Sequence, residues 1–288
     1  MPRCGSPSPA IWPPNTANPE RPALDYPKRD LKTKPVIAFS VADGIARIVI
    51  DDAERHNVVG AQFTQELARA AIACEGRADI RVVLLSANGK VFSVGGDLNE
   101  FIREKDHLRA HVREMASYFH LAITVLNRLP VPVVCAVNGM AAGGGMSLAM
   151  MSDMTIATRS AKFNLAYTRS GLTPDGGGSW FLPRLVGLQR AFDIMCTNPT
   201  LSADQACALG IIARVADDEN FLSEVEKLLR ELADAPSASA ARAKRLLRAS
   251  MANSLEQHLE MEASNIAEIA ATPTTLATLE AFFAARKK

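Results

Sequence analysis

Asp175 sits in the stretch LTPDGGGSW, between a proline and three glycines. A carboxylate there lies at the mouth of a helix whose first N–H groups have no intrahelical partner. The residue type admits two roles. It can cap the helix, a contribution of about 1 kcal/mol. It can also be an acid–base group offered to a molecule resting on glycine backbone. Two further glycine turns, FSVGGD (92–97) and AAGGGMS (141–147), each follow an apolar run and open a helix. Glycine accepts positive φ and lets a ligand approach main-chain amides, and a helix N-terminus carries partial positive charge. Two such ends facing one point form an oxyanion hole. Either turn alone reads equally well as close helix–strand packing.

The elements that must position these groups alternate along the chain. Two short alternating runs flank Asp43-Gly44, the pattern of a β-hairpin. Ala61 to Cys74 has helical periodicity. IRVVLLSA, VPVVCAV, MTIAT, KFNLA and IIARVA read as strands, the first two buried. Asp97 is placed to cap a helix, and 102–128 reads as one long helical segment. Helices are expected to about Val186, over LQRAFDIMCTN and over SADQACALG. From Asn220 onward the period is helical throughout, with breaks near Pro236, Asn253 and Pro273. Alternation up to about residue 217 argues an α/β core with parallel strands. The expected organisation is a tail over 1–34, a core over 35–217 and a helical region over 218–288.

Composition excludes several classes of function. The net charge of +1 and the lack of a Lys/Arg stripe give no footprint for nucleic acid. No run of 18 apolar residues exists, so no membrane span is expected. Nine of the sixteen prolines fall in the first 35 residues, which suits a disordered tail. Cys4, Cys74, Cys135, Cys196 and Cys207 form no CxxC pair and no zinc spacing. Their odd number and apolar neighbours suggest buried, reduced thiols in a cytoplasmic protein, with no metal site.

Taken in order, FSVGGDL, VNGMAAGGGMSLAMMSD, KFNLAYTRSGLTPDGGGSWFLPRLVG and LSADQACALGIIARV resemble the crotonase superfamily, the enoyl-CoA hydratase/isomerase family. The match runs from about Val36 to Val215. The resemblance implies stacked ββα turns forming a spiral core, with a C-terminal helical region used to assemble a homotrimer or hexamer. It implies an acyl-CoA thioester as substrate, coenzyme A entering only as part of it and no other cofactor. By position, the two oxyanion donors fall on the amides of Gly96 and Gly144. Arg55 stands where the family often has a basic residue near the CoA phosphates, although an exposed loop arginine is usually just solvated.

The chain departs from the hydratase pattern at both glutamates that activate water. Ser147 and Tyr167 occupy those positions, and neither titrates near neutral pH. Asp175 then becomes the expected acid–base group, since an acid in this turn does the chemistry in several isomerases and in the aryl-CoA dehalogenases of the family. Held by Gly96 and Gly144, an enolate would let one carboxylate remove a proton at one carbon and return it at another. Val94, Leu98, Tyr167, Ser147 and Trp180 are expected around the substrate. Leu98, Phe101, Trp180 and Phe181 read either as core or as an apolar pocket that raises the Asp175 pKa. Other readings stay open: a hydratase with a differently held water, attack by Asp175 on the acyl group's ring, or an acyl-CoA-binding protein without catalysis. His56, His107, His111, His120 and His258 match no triad motif around Ser147, which leaves a serine nucleophile the weakest reading.

Overall fold

The computed structural model describes residues 34–285; the expected disordered tail, apart from Lys34, lies outside the described residues. The chain opens with β1 (Ile37–Ala42) and β2 (Ile45–Ile50), paired antiparallel across Asp43 and Gly44. Both turn residues have positive φ, 53° and 76°, as a two-residue hairpin of this sequence requires. α1 (Ala61–Cys74) follows and buries Phe63, Leu67 and Ala71.

β3 (Val82–Ala87) leads to α2 (Leu98–Arg103), and Asp97 caps it: its carboxylate accepts from the Glu100 amide at 3.0 Å. The helix then stops. α3 spans Leu108–Arg128, so the single helix expected over 102–128 is broken. The intervening Glu104-Lys105-Asp106-His107 holds no apolar side chain to dock a continuous turn.

Next come β4 (Val133–Val137), β5 (Met140–Ala142), α4 (Gly144–Met151), β6 (Met154–Thr158) and β7 (Lys162–Asn164). They are followed by α5 (Gly178–Val186), α6 (Leu188–Thr197), β8 (Leu201–Ser202), α7 (Ala203–Ala208) and β9 (Arg214–Ala216). The chain closes with α8 (Phe221–Asp234), α9 (Ser237–Ala249), α10 (Leu255–Ala270) and α11 (Pro273–Ala285).

The large sheet has the order β1-β2-β3-β4-β6-β9, parallel from β2 onward. A second sheet, β5-β7-β8, lies beside it. Each turn of the fold therefore runs from a large-sheet strand, through a short small-sheet strand, into a helix. β4-β5-α4 and β6-β7-α5 are two such ββα turns. The segment after β3 makes a third, because Ser93 bridges to Ala141 of β5. The result is the spiral α/β core with a C-terminal helical region that the sequence suggests.

The core fills both faces of the large sheet. One face packs Ile48, Ile50, Leu85 and Val137 against α1 and α3. The other packs Val82, Leu84, Val134 and Ile156 against Phe221, Val225, Leu228 and Leu229 of α8. α8 is thus part of the core packing, and the helices standing away from the sheet begin at α9. Lys244 and Arg248 tie α9 down by ion pairs of 2.6 Å to Asp153. Cys74 and Cys135 are buried as expected, and burial pushes the Cys74 thiol up to about 11. Cys196 departs from the expectation, because it lies exposed on the outer side of α6. Among the described residues no helix is long and apolar enough to cross a membrane.

Candidate active site

The three ββα turns deliver their helix starts to one edge of the spiral. Ser93, Ala141 and Phe163 stand in one row: Ser93 bridges Ala141, and Ala141 pairs with Phe163. Gly96 and Gly144 each lie three residues past that row. The two turns touch. A Cβ added to Gly95 would sit 2.9 Å from the Ala142 carbonyl oxygen, and Gly95 has φ +88°, so both space and backbone demand glycine.

Gly144 is the first residue of α4, so its N–H has no acceptor inside the helix. Gly96 donates to no group among the described residues, while its neighbours Gly95 and Asp97 pair with Val59. Both glycines line a cavity of about 980 Å³. The geometry gives two free amides at one place, which is what an oxyanion hole needs.

The rest of the wall is mostly apolar, with Val59, Val94, Leu98, Phe101, Met115 and Phe119 among it. Tyr167 and Asp175 also line it. Of the sequence-predicted residues, Gly96, Gly144, Val94, Leu98, Tyr167 and Asp175 are thus brought to one cavity. Ser147, Arg55 and Trp180 are not on its wall. Ser147 is fully buried behind it. Trp180 is half-exposed on α5, with the Arg184 guanidinium 3.9 Å over its ring and Phe181 edge-on to it.

Arg55 is tied to the cap of α2. Its Nη2 donates to Asp97 at 2.6 Å, and Asp52 is 3.6 Å from its Nε. It pins the cap residue that directly follows Gly96.

Asp175 is not the cap of α5. Gly176 and Gly177 both have positive φ and carry the chain past it, so Gly177 precedes the helix and no side chain caps it. A Cβ on Gly176 would meet a Phe119 ring carbon at 2.4 Å. The turn is therefore folded tightly onto α3 and α4, and it exposes the carboxylate instead of spending it on helix amides.

That carboxylate is hydrogen bonded to His120 Nε2. Their side chains are 39% and 53% exposed, so the pair stands at the cavity's edge, open to solvent. Burial raises the Asp175 pKa, but the hydrogen bond from His120, the Gly176 amide and the imidazole charge together outweigh it. The carboxyl is held below the usual carboxylate range, against the sequence expectation of a raised value. The same bond raises His120 above its ordinary value, opposed by burial and by the charge of Arg113.

His120 is the candidate site residue that sequence reasoning passed over. Its partner lies 55 positions away, and no short motif links them. The available signal was its place on the face of a helix that also presents Met115 and Ala116 to the cavity.

Three donors converge on the main-chain carbonyl of Asp175: Ser147 Oγ at 2.9 Å, the Gly178 amide at 3.0 Å and Tyr167 OH at 3.2 Å. Burial pushes the Tyr167 phenol up to about 12, so it stays protonated and able to donate. Among the described residues no cluster of His, Cys, Asp or Glu is placed to hold a metal ion. Chemically, the site can stabilise an oxyanion with two amides and move a proton with one carboxylate.

Comparison with known proteins shows which family the chain resembles. The model of the enoyl-CoA hydratase/isomerase family matches residues 40–288. The 4-chlorobenzoyl coenzyme A dehalogenase-2 of Arthrobacter sp is 33% identical over 80% of this chain and 84% of that protein. The 1,2-epoxyphenylacetyl-CoA isomerase of Escherichia coli K12 is 34% identical over 78% of this chain and 87% of its own. The crystal structure of an enoyl-CoA hydratase from Polaromonas sp. JS666 superposes with a TM-score of 0.82 at 27% identity, covering 86% of this chain and 96% of that one. The chain is a member of the enoyl-CoA hydratase/isomerase family.

Proposed function

We propose that this enzyme shifts a double bond in an unsaturated acyl-CoA, with Asp175 as its acid–base group and the Gly96 and Gly144 amides as its oxyanion donors. One observation carries the reading: among the described residues, Asp175 is the only carboxylate lining the cavity. Water addition by two glutamates has no second acid here, because Ser147 and Tyr167 stand at those positions and both are hydrogen bonded to main chain.

The step balances with one base. Asp175 takes a proton from Cα or Cγ, and the C–H electron pair moves into a dienolate. The charge on the thioester oxygen rests on the two amides. The proton returns at the other carbon, and the oxygen's electrons restore the carbonyl. Loss of one oxyanion donor costs about 3–4 kcal/mol of barrier in comparable sites. His120 keeps Asp175 ionised and turned to the cavity.

His120 also favours a second reading. As an aspartate carboxylate with a base beside it, Asp175 could attack an aryl carbon, expel a leaving group and form an ester. Water deprotonated by His120 would then hydrolyse that ester and restore the carboxylate. The dehalogenase relative is as similar as the isomerase relative.

A panel of 2-enoyl-, 3-enoyl-, dienoyl- and halobenzoyl-CoAs separates these readings. Isomerisation leaves the mass unchanged and moves the vinyl resonances in NMR. Hydration adds water, and displacement releases halide. Hydration alone would overturn the proposal, and halide release alone would favour the second reading.

A further inference from the structure

Beyond the reacting end, one feature of the cavity is unused by the proposed chemistry. Arg109 and Arg113 both line it, from α3. Neither guanidinium group has an ion-pair or hydrogen-bond partner among the described residues. They stand at positions i and i+4, and Ala116 and His120 continue the row at i+7 and i+11, which is one face of a helix. The row therefore starts at the Asp175–His120 pair and runs away from it. At 1.5 Å per residue, Arg113 and Arg109 lie roughly 10 and 16 Å along the axis from His120.

Gly144 does not lie at that end, since its nearest side chains include Phe119, next to His120. Between the arginines the wall is apolar, with Leu108 and Val112 lining it. Two unopposed guanidinium groups beside apolar wall are an incomplete arrangement. A guanidinium fork matches a carboxylate or phosphate.

We infer that Arg109 and Arg113 form an oxyanion subsite at the end of the cavity remote from Asp175, filled by an anionic group of the substrate. This rests on the reading of the cavity as an acyl-CoA site. The anion is either a carboxylate at the far end of the acyl group or a phosphate of coenzyme A. In both cases the arginines set orientation and specificity without touching the reacting carbons.

The test uses saturated ligands, which cannot be isomerised, so it does not depend on Asp175 chemistry. Calorimetry compares octanoyl-CoA, its eight-carbon ω-carboxyl counterpart suberoyl-CoA and octanoyl-pantetheine on the wild-type protein and on R109Q/R113Q. Glutamine is a good helix former and both sites are exposed, so the variant should fold, which its melting curve checks.

Preference of the wild type for suberoyl-CoA by about tenfold or more, erased in the variant, places the acyl carboxylate at the arginines. Equal weakening of both CoA ligands, with octanoyl-pantetheine spared, places a CoA phosphate there. Binding of all three ligands by the variant as tightly as by the wild type, or more tightly, overturns the subsite. Binding of none of them by the wild type overturns both the subsite and the acyl-CoA reading.

Discussion

Ser147 Oγ donates a 2.9 Å hydrogen bond to the carbonyl oxygen of Asp175. The bond joins the start of α4, which carries the Gly144 amide, to the turn that carries the carboxylate. Tyr167 reaches the same oxygen at 3.2 Å. Two hydroxyls at positions where a hydratase would need glutamates thus tie the Asp175 main chain to the elements around it.

The first prediction tests this brace. Each of Ser147→Ala and Tyr167→Phe leaves the Asp175 carbonyl with two donors, so each should lower kcat only a few-fold, for a bond of about 1 kcal/mol. The double variant should lower kcat by about tenfold or more while KM stays nearly constant. Steady-state kinetics on a folded double variant decides it. A rise in KM with kcat intact would place these hydroxyls on the substrate instead.

The second prediction concerns pH. His120 is raised above its ordinary value of 6.5, so its contribution to stability is complete below that value and is lost as pH rises through the raised one. Asp175 is lowered below 3.8, so its contribution is present above that value and is lost as pH falls through the lowered one. The ion pair is therefore intact between about pH 4 and 6.5. In His120→Asn the strongest lowering influence on Asp175 is gone and burial remains. The acid limb of the pH–kcat profile should move to higher pH. A limb that stays in place, or moves lower, would show that His120 does not govern the carboxylate.

The third prediction isolates the oxyanion hole. Gly144 is the first residue of α4, where proline is tolerated and removes the N–H, and its added Cβ would stand 3.3 Å from the Val59 side chain. Gly144→Pro should fold and should lose turnover by about 10²–10³-fold. Near-wild-type turnover in a protein with an unchanged melting temperature would place the donor elsewhere.

Much of this architecture was legible in the sequence, and the failures share one physical cause. Strands four residues or longer showed their apolar runs, and Asp43-Gly44 announced its hairpin. β5, three residues between Gly139 and the Gly143 turn, and β8, of two residues, display no alternation. They exist because Ser93 and β7 offer them ladder partners. The acid in LTPDGGGSW was visible, but its freedom from capping was not, because that follows from two successive positive-φ glycines. His120 stayed hidden for the same reason: its meaning depends on a turn 55 residues away.

The fourth prediction concerns assembly. We propose that α10 and α11 join copies of the chain, as the family resemblance suggests, into a trimer or hexamer. Leu255, Leu259, Ile266, Leu276 and Phe283 are exposed on the single chain, an apolar surface that a monomer seldom leaves open. α9 is anchored to the core through Asp153, so a chain ending at Ser254 keeps its sheet covered. Sedimentation should show the full chain as an oligomer and the shortened chain as monomer or aggregate. A monomeric full chain would overturn the proposal.

The central claim is that Asp175 moves the proton. Asp175→Asn keeps the size of the side chain, and the turn is held by main-chain bonds, so the fold and acyl-CoA binding should persist. Asparagine cannot accept and return a proton. The direct measurement is solvent deuterium incorporation into an unsaturated acyl-CoA, with binding followed separately by calorimetry. The account predicts exchange in the wild type and none above background in Asp175→Asn, at nearly unchanged Kd. Exchange by Asp175→Asn at the wild-type rate would contradict it.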